Sequence, residues 1–162
     1  MPDAPTEADI PEPAAALGMH LTLEVPFDDA VPYVQLEHEY AGYETVAVTR
    51  LDEMVRGALH VDVPRTAMLV VCHAEIAHRA LDIDQRLAGL LPCATVLYER
   101  PADDRVHVHH VSVAKAIREL EYAPAGADEA VDELVELSGE YMTEVWENIE
   151  AHADVVSTDG DG

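Results

Sequence analysis

The chain lacks several things, and each absence narrows what it does. No run of about 18 apolar residues occurs, which excludes a membrane-spanning helix. No basic segment followed by an apolar one opens it, so no secretory leader is expected and the protein is read as cytoplasmic. Two cysteines, Cys72 and Cys93, are too few for a disulfide scaffold, and their spacing fits neither a zinc ribbon nor a thioredoxin motif. Lysine occurs once, at Lys115, and serine only at Ser112, Ser138 and Ser157, none in a G-x-S-x-G context. G-x-G-x-x-G, Walker and H-E-x-x-H motifs are missing, so no complete catalytic or nucleotide-binding constellation is written in the sequence.

What is present is a core and a large negative charge. The 162 residues suit one domain of ordinary size, and 49% hydrophobic content is enough to build its interior. The formal charge is −24, from 33 acidic and 9 basic residues. All nine bases fall between Arg50 and Arg118, where nine acids balance them; residues 1–49 carry ten acids and residues 119–162 fourteen, without a base. Such a surface repels nucleic acid and anionic membrane, so neither is expected as a partner. Dense acidity with almost no lysine is tolerable where salt screens self-repulsion, and the composition resembles that of halophilic archaeal proteins.

Periodicity along the chain predicts one α+β domain over residues 18–152, with disordered acidic tails at 1–17 and 153–162. Met19, Leu21, Leu23 and Val25 alternate with His20, Thr22 and Glu24, a half-buried strand. A helix capped by Asp28 or Asp29 runs to about Tyr40, with Pro32 tolerable only in its first turn, and Gly42 stops it. Tyr43–Arg50 reads as a strand, Leu51–Leu59 as a short helix, and Thr66–Cys72 as a strand buried on both faces. Glu75–Leu81 has helical spacing. Ala94–Glu99 and Val106–Ser112 form a hairpin across the Arg-Pro-Ala-Asp-Asp turn, and a helix follows over Val113–Leu120. Asp128–His152 carries Val131, Leu134, Val135, Met142, Val145, Trp146 and Ile149 at three- and four-residue spacing, a long amphipathic helix. The architecture expected is a single mixed or antiparallel sheet with helices packed on one face. The final helix is long for one short sheet, so Met142 and Trp146 are expected to anchor a homodimer contact.

The candidate chemistry rests on cysteine and histidine. A helix begins just after Cys72, and a helix N-terminus favours a thiolate, which makes Cys72 the better candidate for a reactive thiol. Cysteine packed as a small hydrophobe is the alternative for both residues. His107 and His109 share one face of their strand and His110 the other. If Tyr98 pairs with Val106, Cys93 joins His107 and His109 on that face, a set that suits a transition metal. A right-handed parallel crossover between the two cysteine-bearing strands predicts Cys72 and Cys93 roughly 15–20 Å apart, without a disulfide.

Two segments carry a resemblance. MLVVCHAEIAHRAL (residues 68–81) is a strand ending in Cys followed by an Ala-containing helix, and AGLLPCATVLYE (residues 88–99) leads into the hairpin strand RVHVHHVS (residues 105–112). They resemble the domain of unknown function 302 family over about residues 19–120, with Cys72 and Cys93 on its two cysteine positions. His73-Ala74 replaces the family's Asn-Pro, and the leucine run before Pro92 is shorter. The resemblance implies a small soluble α+β domain, dimeric, whose activity is not established. Two functions remain open: a non-catalytic dimeric module that binds a small ligand or a metal, or a thiol-dependent redox or sulfur-transfer protein using Cys72 or Cys93.

Overall fold

The computed structural model describes residues 18–158, with side chains through residue 153. The segments 1–17 and 159–162, expected as tails, lie outside the described residues. The chain runs β1 (Gly18–Leu23), α1 (Phe27–Tyr40), β2 (Tyr43–Arg50), α2 (Leu51–Leu59), β3 (Thr66–His73), α3 (Ala74–Ile83), a 3-10 turn (Gln85–Leu90), β4 (Cys93–Glu99), β5 (Val106–Val111), α4 (Val113–Glu119) and α5 (Asp128–Thr158). Among the described residues the strands form one sheet in the order β1-β5-β4-β3-β2, every neighbour antiparallel. The α+β architecture read from the sequence is the one observed.

Local chemistry accounts for the elements. In α1, Phe27, Ala30 and Val34 recur at helical spacing and are buried, while Asp28 and Asp29 sit in the first turn, where the helix dipole favours negative charge. Pro32 stands six residues into α1, beyond the first turn; its missing N–H costs one intrahelical bond, and the helix continues. Gly42, at φ +93°, supplies the left-handed turn into β2, and its lack of a side chain admits the His73 ring, whose Nε2 would lie 2.9 Å from a Cβ there. Asp52, buried at the start of α2, accepts two 2.9 Å hydrogen bonds from Arg50 and one of 3.2 Å from the Thr66 amide, tying α2 to β3.

One face of the sheet is the floor of the core. Leu69, Val71, Leu97 and Val108 point to it and meet Phe27 and Val34 of α1, Ile76 and Ala80 of α3, Leu87 of the 3-10 turn, Ile117 of α4, and Leu134, Val145 and Ile149 of α5. The helix α5 runs beyond residue 152, where periodicity placed its end. Its apolar stripe is consumed within the protomer: Met142 is 3% and Trp146 5% exposed. The expectation that these two residues anchor a dimer is thereby corrected, because their side chains are spent on the chain's own core.

The cysteine strands differ from expectation in direction. β3 and β4 are adjacent and antiparallel, with Val71 opposite Cys93, so no parallel crossover exists between them. The α3 helix and the 3-10 turn bring the chain back to the end of the sheet it left, which an antiparallel neighbour requires. Cys72 is one residue beyond the partner of Cys93, a diagonal Cα separation of roughly 6 Å in place of the expected one. Both thiols are free.

Candidate functional site

Helices α1, α3, α4 and α5 pack on one face of the sheet, and Met68, Val70, Ala94 and Val96 stand on the opposite face, which their core leaves uncovered. Alternation assigns to it His20 and Thr22 of β1, His107 and His109 of β5, Val96 and Tyr98 of β4, and Met68, Val70 and Cys72 of β3. Met68, Val70, Val96 and Ala94 form a half-buried apolar strip down its middle. Among strand positions on this face, Glu44, opposite Cys72 on the β2 edge, is the one carboxylate.

Beside the strip lies a histidine cluster. His107 is 1% exposed, and its Nε2–H donates to the Asp103 carboxylate at 3.1 and 3.2 Å. With Nε2 turned to Asp103, Nδ1 faces His20, whose Nε2 lies 3.2 Å from it. Tyr98 stacks on His107, with centroids 5.1 Å apart and planes 13° from parallel. His109 stands directly opposite His20 across the β1–β5 ladder, their rings 5.7 Å apart. Its Nε2 overlies Gly18, where a Cβ would stand 2.9 Å away, so glycine leaves room for that ring. Burial lowers the His109 pKa, which keeps the imidazole neutral. Asp103 is held below the usual carboxylate range, first by the Arg105 amide and then by His107.

The expected trio of Cys93, His107 and His109 does not form. Tyr98 pairs with His107, not with Val106, a slip of one residue from the expected register. A one-residue slip exchanges the faces of a strand relative to its partner, so the two histidines lie on the uncovered face and Cys93 on the helix side. The cause is the connection: the loop spans residues 100–105, closed where Asp103 accepts from the Arg105 amide at 3.1 Å. His107 and His109 do share a face, as alternation predicted. Sequence reasoning missed His20 and Asp103 as members; the alternation in β1 did put His20 on the polar side, but nothing local revealed that β1 pairs with β5.

The thiols are not activated. Burial pushes the Cys93 thiol up to about 11, with Cys72 adding to the rise and a hydrogen bond from the Val113 amide partly offsetting it. Burial and then Glu44 raise the Cys72 thiol as well. The helix end expected to lower it is occupied by His73, whose Nδ1 caps α3 by accepting from the Glu75 amide at 3.3 Å.

A second histidine pair lies on the helix side. His38 Nδ1–H donates to the Val34 carbonyl at 2.7 Å, which leaves Nε2 to accept from the Thr95 hydroxyl at 3.0 Å. Thr95 Oγ1 in turn accepts from His110 Nδ1–H at 2.8 Å. The direction of every proton in this chain follows from the carbonyl, which only accepts. Both rings are buried and neutral: burial is the main cause of the lowered pKa of His38, and it takes His110 down to about 3. Satisfied this way, the pair reads as an internal brace joining α1, β4 and β5.

Comparison with known proteins adds the fold. The family model described as domain of unknown function DUF302 matches residues 19–140. The crystal structure of an uncharacterised conserved DUF302 protein from Bacillus stearothermophilus superimposes with a TM-score of 0.64 at 12% identity, covering 80% of this chain and 98% of that one. No curated protein matches the chain significantly.

Proposed function

The chain belongs to the DUF302 family, and from that premise we propose that it is a non-catalytic binding domain that works as a homodimer, with the uncovered sheet face as its working surface. The observation that carries this reading is the charge of that face. In a chain of net charge −24, its strand positions hold one carboxylate, Glu44, at the edge, and a half-buried apolar strip at the centre. A second copy carries the same charge, which favours approach by the surface where carboxylates are fewest. High salt, which the composition favours, relieves the repulsion between the acidic remainders. The strip of Met68, Val70 and Val96 on one copy then packs on its equivalent in the other, and the histidine cluster flanks it.

The thiol alternative draws support from the closeness of Cys72 and Cys93 across the ladder. Three features weigh against it: the side chains leave opposite faces of the sheet, both thiol pKa values are raised, and no base adjoins either sulfur among the hydrogen bonds of the described residues.

Light scattering at 1–3 M NaCl tests the dimer. The wild type is expected at twice 17.7 kDa. Val70→Asp and Val96→Lys, each introducing a charge into the strip, are expected to give a folded monomer by circular dichroism. A wild-type mass of 17.7 kDa rejects the dimer, and two folded variants that remain dimeric reject this face as its contact.

A further inference from the structure

The separation between His20 Nε2 and His107 Nδ1 is 3.2 Å. Two imidazole nitrogens bound to one tetrahedral zinc at 2.0–2.1 Å stand about 3.3–3.4 Å apart, and two at adjacent corners of a square-planar copper site somewhat closer. The pair is thus already at the spacing of two ligands of one ion. In the ion-free chain the two nitrogens face each other at hydrogen-bond distance. An ion takes its place to one side of the line between them, after a tilt of the rings and with little change in their separation.

The far side of His107 is arranged as a metal-bound imidazole requires. Its Nε2–H is held by the Asp103 carboxylate at 3.1 and 3.2 Å, which fixes the tautomer that leaves Nδ1 free to coordinate and raises its basicity. Asp103 is itself steadied by the Arg105 amide. The His107 ring is 1% exposed and stacked on Tyr98, which confines it to small tilts about its present orientation. His20 comes from β1 at the exposed side of the cluster, which gives an ion a route in. His109, opposite His20, is the third nitrogen nearest to hand.

We propose that His20 and His107 form a two-imidazole site for a late first-row divalent cation, Zn²⁺ or Cu²⁺, with Asp103 as the outer carboxylate that orients His107 and His109 reaching the ion by a side-chain rotation. This rests on the reading of the uncovered face as the binding surface and names its ligand. Among the described residues no three donor side chains converge on one point. The site is therefore open, with water or a small anionic molecule completing the coordination, as in sites that hold a ligand through a metal. Cys93 takes no part, being on the other side of the sheet.

The test titrates the full chain with zinc and copper salts. Calorimetry is expected to give a saturable isotherm of one ion per chain. Copper bound to the chain is expected to show nitrogen hyperfine splitting in its electron paramagnetic resonance spectrum. His20→Ala and His107→Ala are each expected to lose binding by more than tenfold. Asp103→Asn, which keeps the shape and removes the charge, is expected to weaken it about 10–100-fold, the range for outer-shell partners. His78→Ala and His152→Ala, at exposed histidines elsewhere, are expected to change nothing. Binding that survives in a His20→Ala, His107→Ala double variant overturns the site, as does wild type without a saturable isotherm. Because His107 is buried, the His20→Ala variant and the spectroscopic signature carry the test if His107→Ala unfolds. Failure here with the dimer intact removes the ion site alone; Val70→Asp leaving the dimer unchanged removes the reading of the face on which it rests.

Discussion

Tyr98 lies opposite His107 across the β4–β5 ladder, and its ring stacks on the imidazole at 5.1 Å. That pairing sets which side chains of the hairpin look at the helices and which look away. It sends His110 into the core, to Thr95, and sends His107 and His109 to the uncovered face.

The inward pairing is the more consequential for stability. Thr95→Val keeps the shape of the side chain and removes the hydroxyl that links His38 to His110. Two buried imidazole nitrogens then lose their partner, a cost of about 2 kcal/mol or more. Urea denaturation is expected to show that loss with an unchanged m-value; a loss below about 0.5 kcal/mol contradicts the brace.

The same brace predicts how stability depends on pH. Burial depresses the folded pKa of His38 against the smaller opposing effects of the Val34 carbonyl and Glu37. The unfolded chain therefore takes up a proton near pH 6.5 that the folded chain refuses, and stability is expected to fall as pH drops below that value. A second loss follows lower down. Asp52 is held to about 2 by Arg50, partly offset by burial, so its contribution is present above pH 3.8 and disappears between there and pH 2. Denaturant midpoints measured from pH 8 to pH 5 check the first step; His110, also depressed by burial, contributes to it, so His38→Gln is expected to reduce the step without abolishing it.

Salt should act in the opposite sense from its effect on a protein held by surface ion pairs. The net charge of −24 resides in the two ends of the sequence, and the Debye length shrinks from about 10 Å at 0.1 M to about 3 Å at 1 M. The melting temperature is expected to rise by several degrees over that range in NaCl. A flat or falling curve contradicts self-repulsion as the dominant electrostatic effect.

The cysteines should be inert in the native state. With Cys93 pushed up to about 11 and Cys72 raised as well, alkylation at pH 7–8 is expected to be much slower than for a free thiol and to reach Cys93 only through unfolding. Fast labelling of either residue, with an apparent pKa below 8, would favour the thiol alternative.

Most of the elements were legible in the sequence because they depend on local rules. The alternation Met19, Leu21, Leu23 marks β1, the run Tyr43–Arg50 marks β2, and the 3.6-residue stripe from Val131 to Ile149 marks α5. The candidate site was half legible. That His107 and His109 share a face follows from the period of two along one strand. Which residues they meet there does not, since that depends on partners far apart in the chain.

The sequence by itself determined the class of fold, the acidity and its uneven distribution, the order of strands and helices, and the apolar side of β1. These follow from composition and from periodicities set by backbone geometry within a few residues. For Thr66–Cys72 the sequence predicted burial on both faces, where only one face is buried and Met68 and Val70 on the other are half-buried. Only the tertiary structure decided that β1 closes onto β5 and so brings His20 to His107, that β3 and β4 run antiparallel, and that the hairpin pairs Tyr98 with His107. It also decided that Met142 and Trp146 fill the protomer's own core. Each of these is a choice of partner or register between segments of similar pattern. A helical connection permits either strand direction, and a slip of one residue leaves the strand's local pattern unchanged while exchanging its faces. The choice is made by the burial of all the faces at once, which no single segment contains.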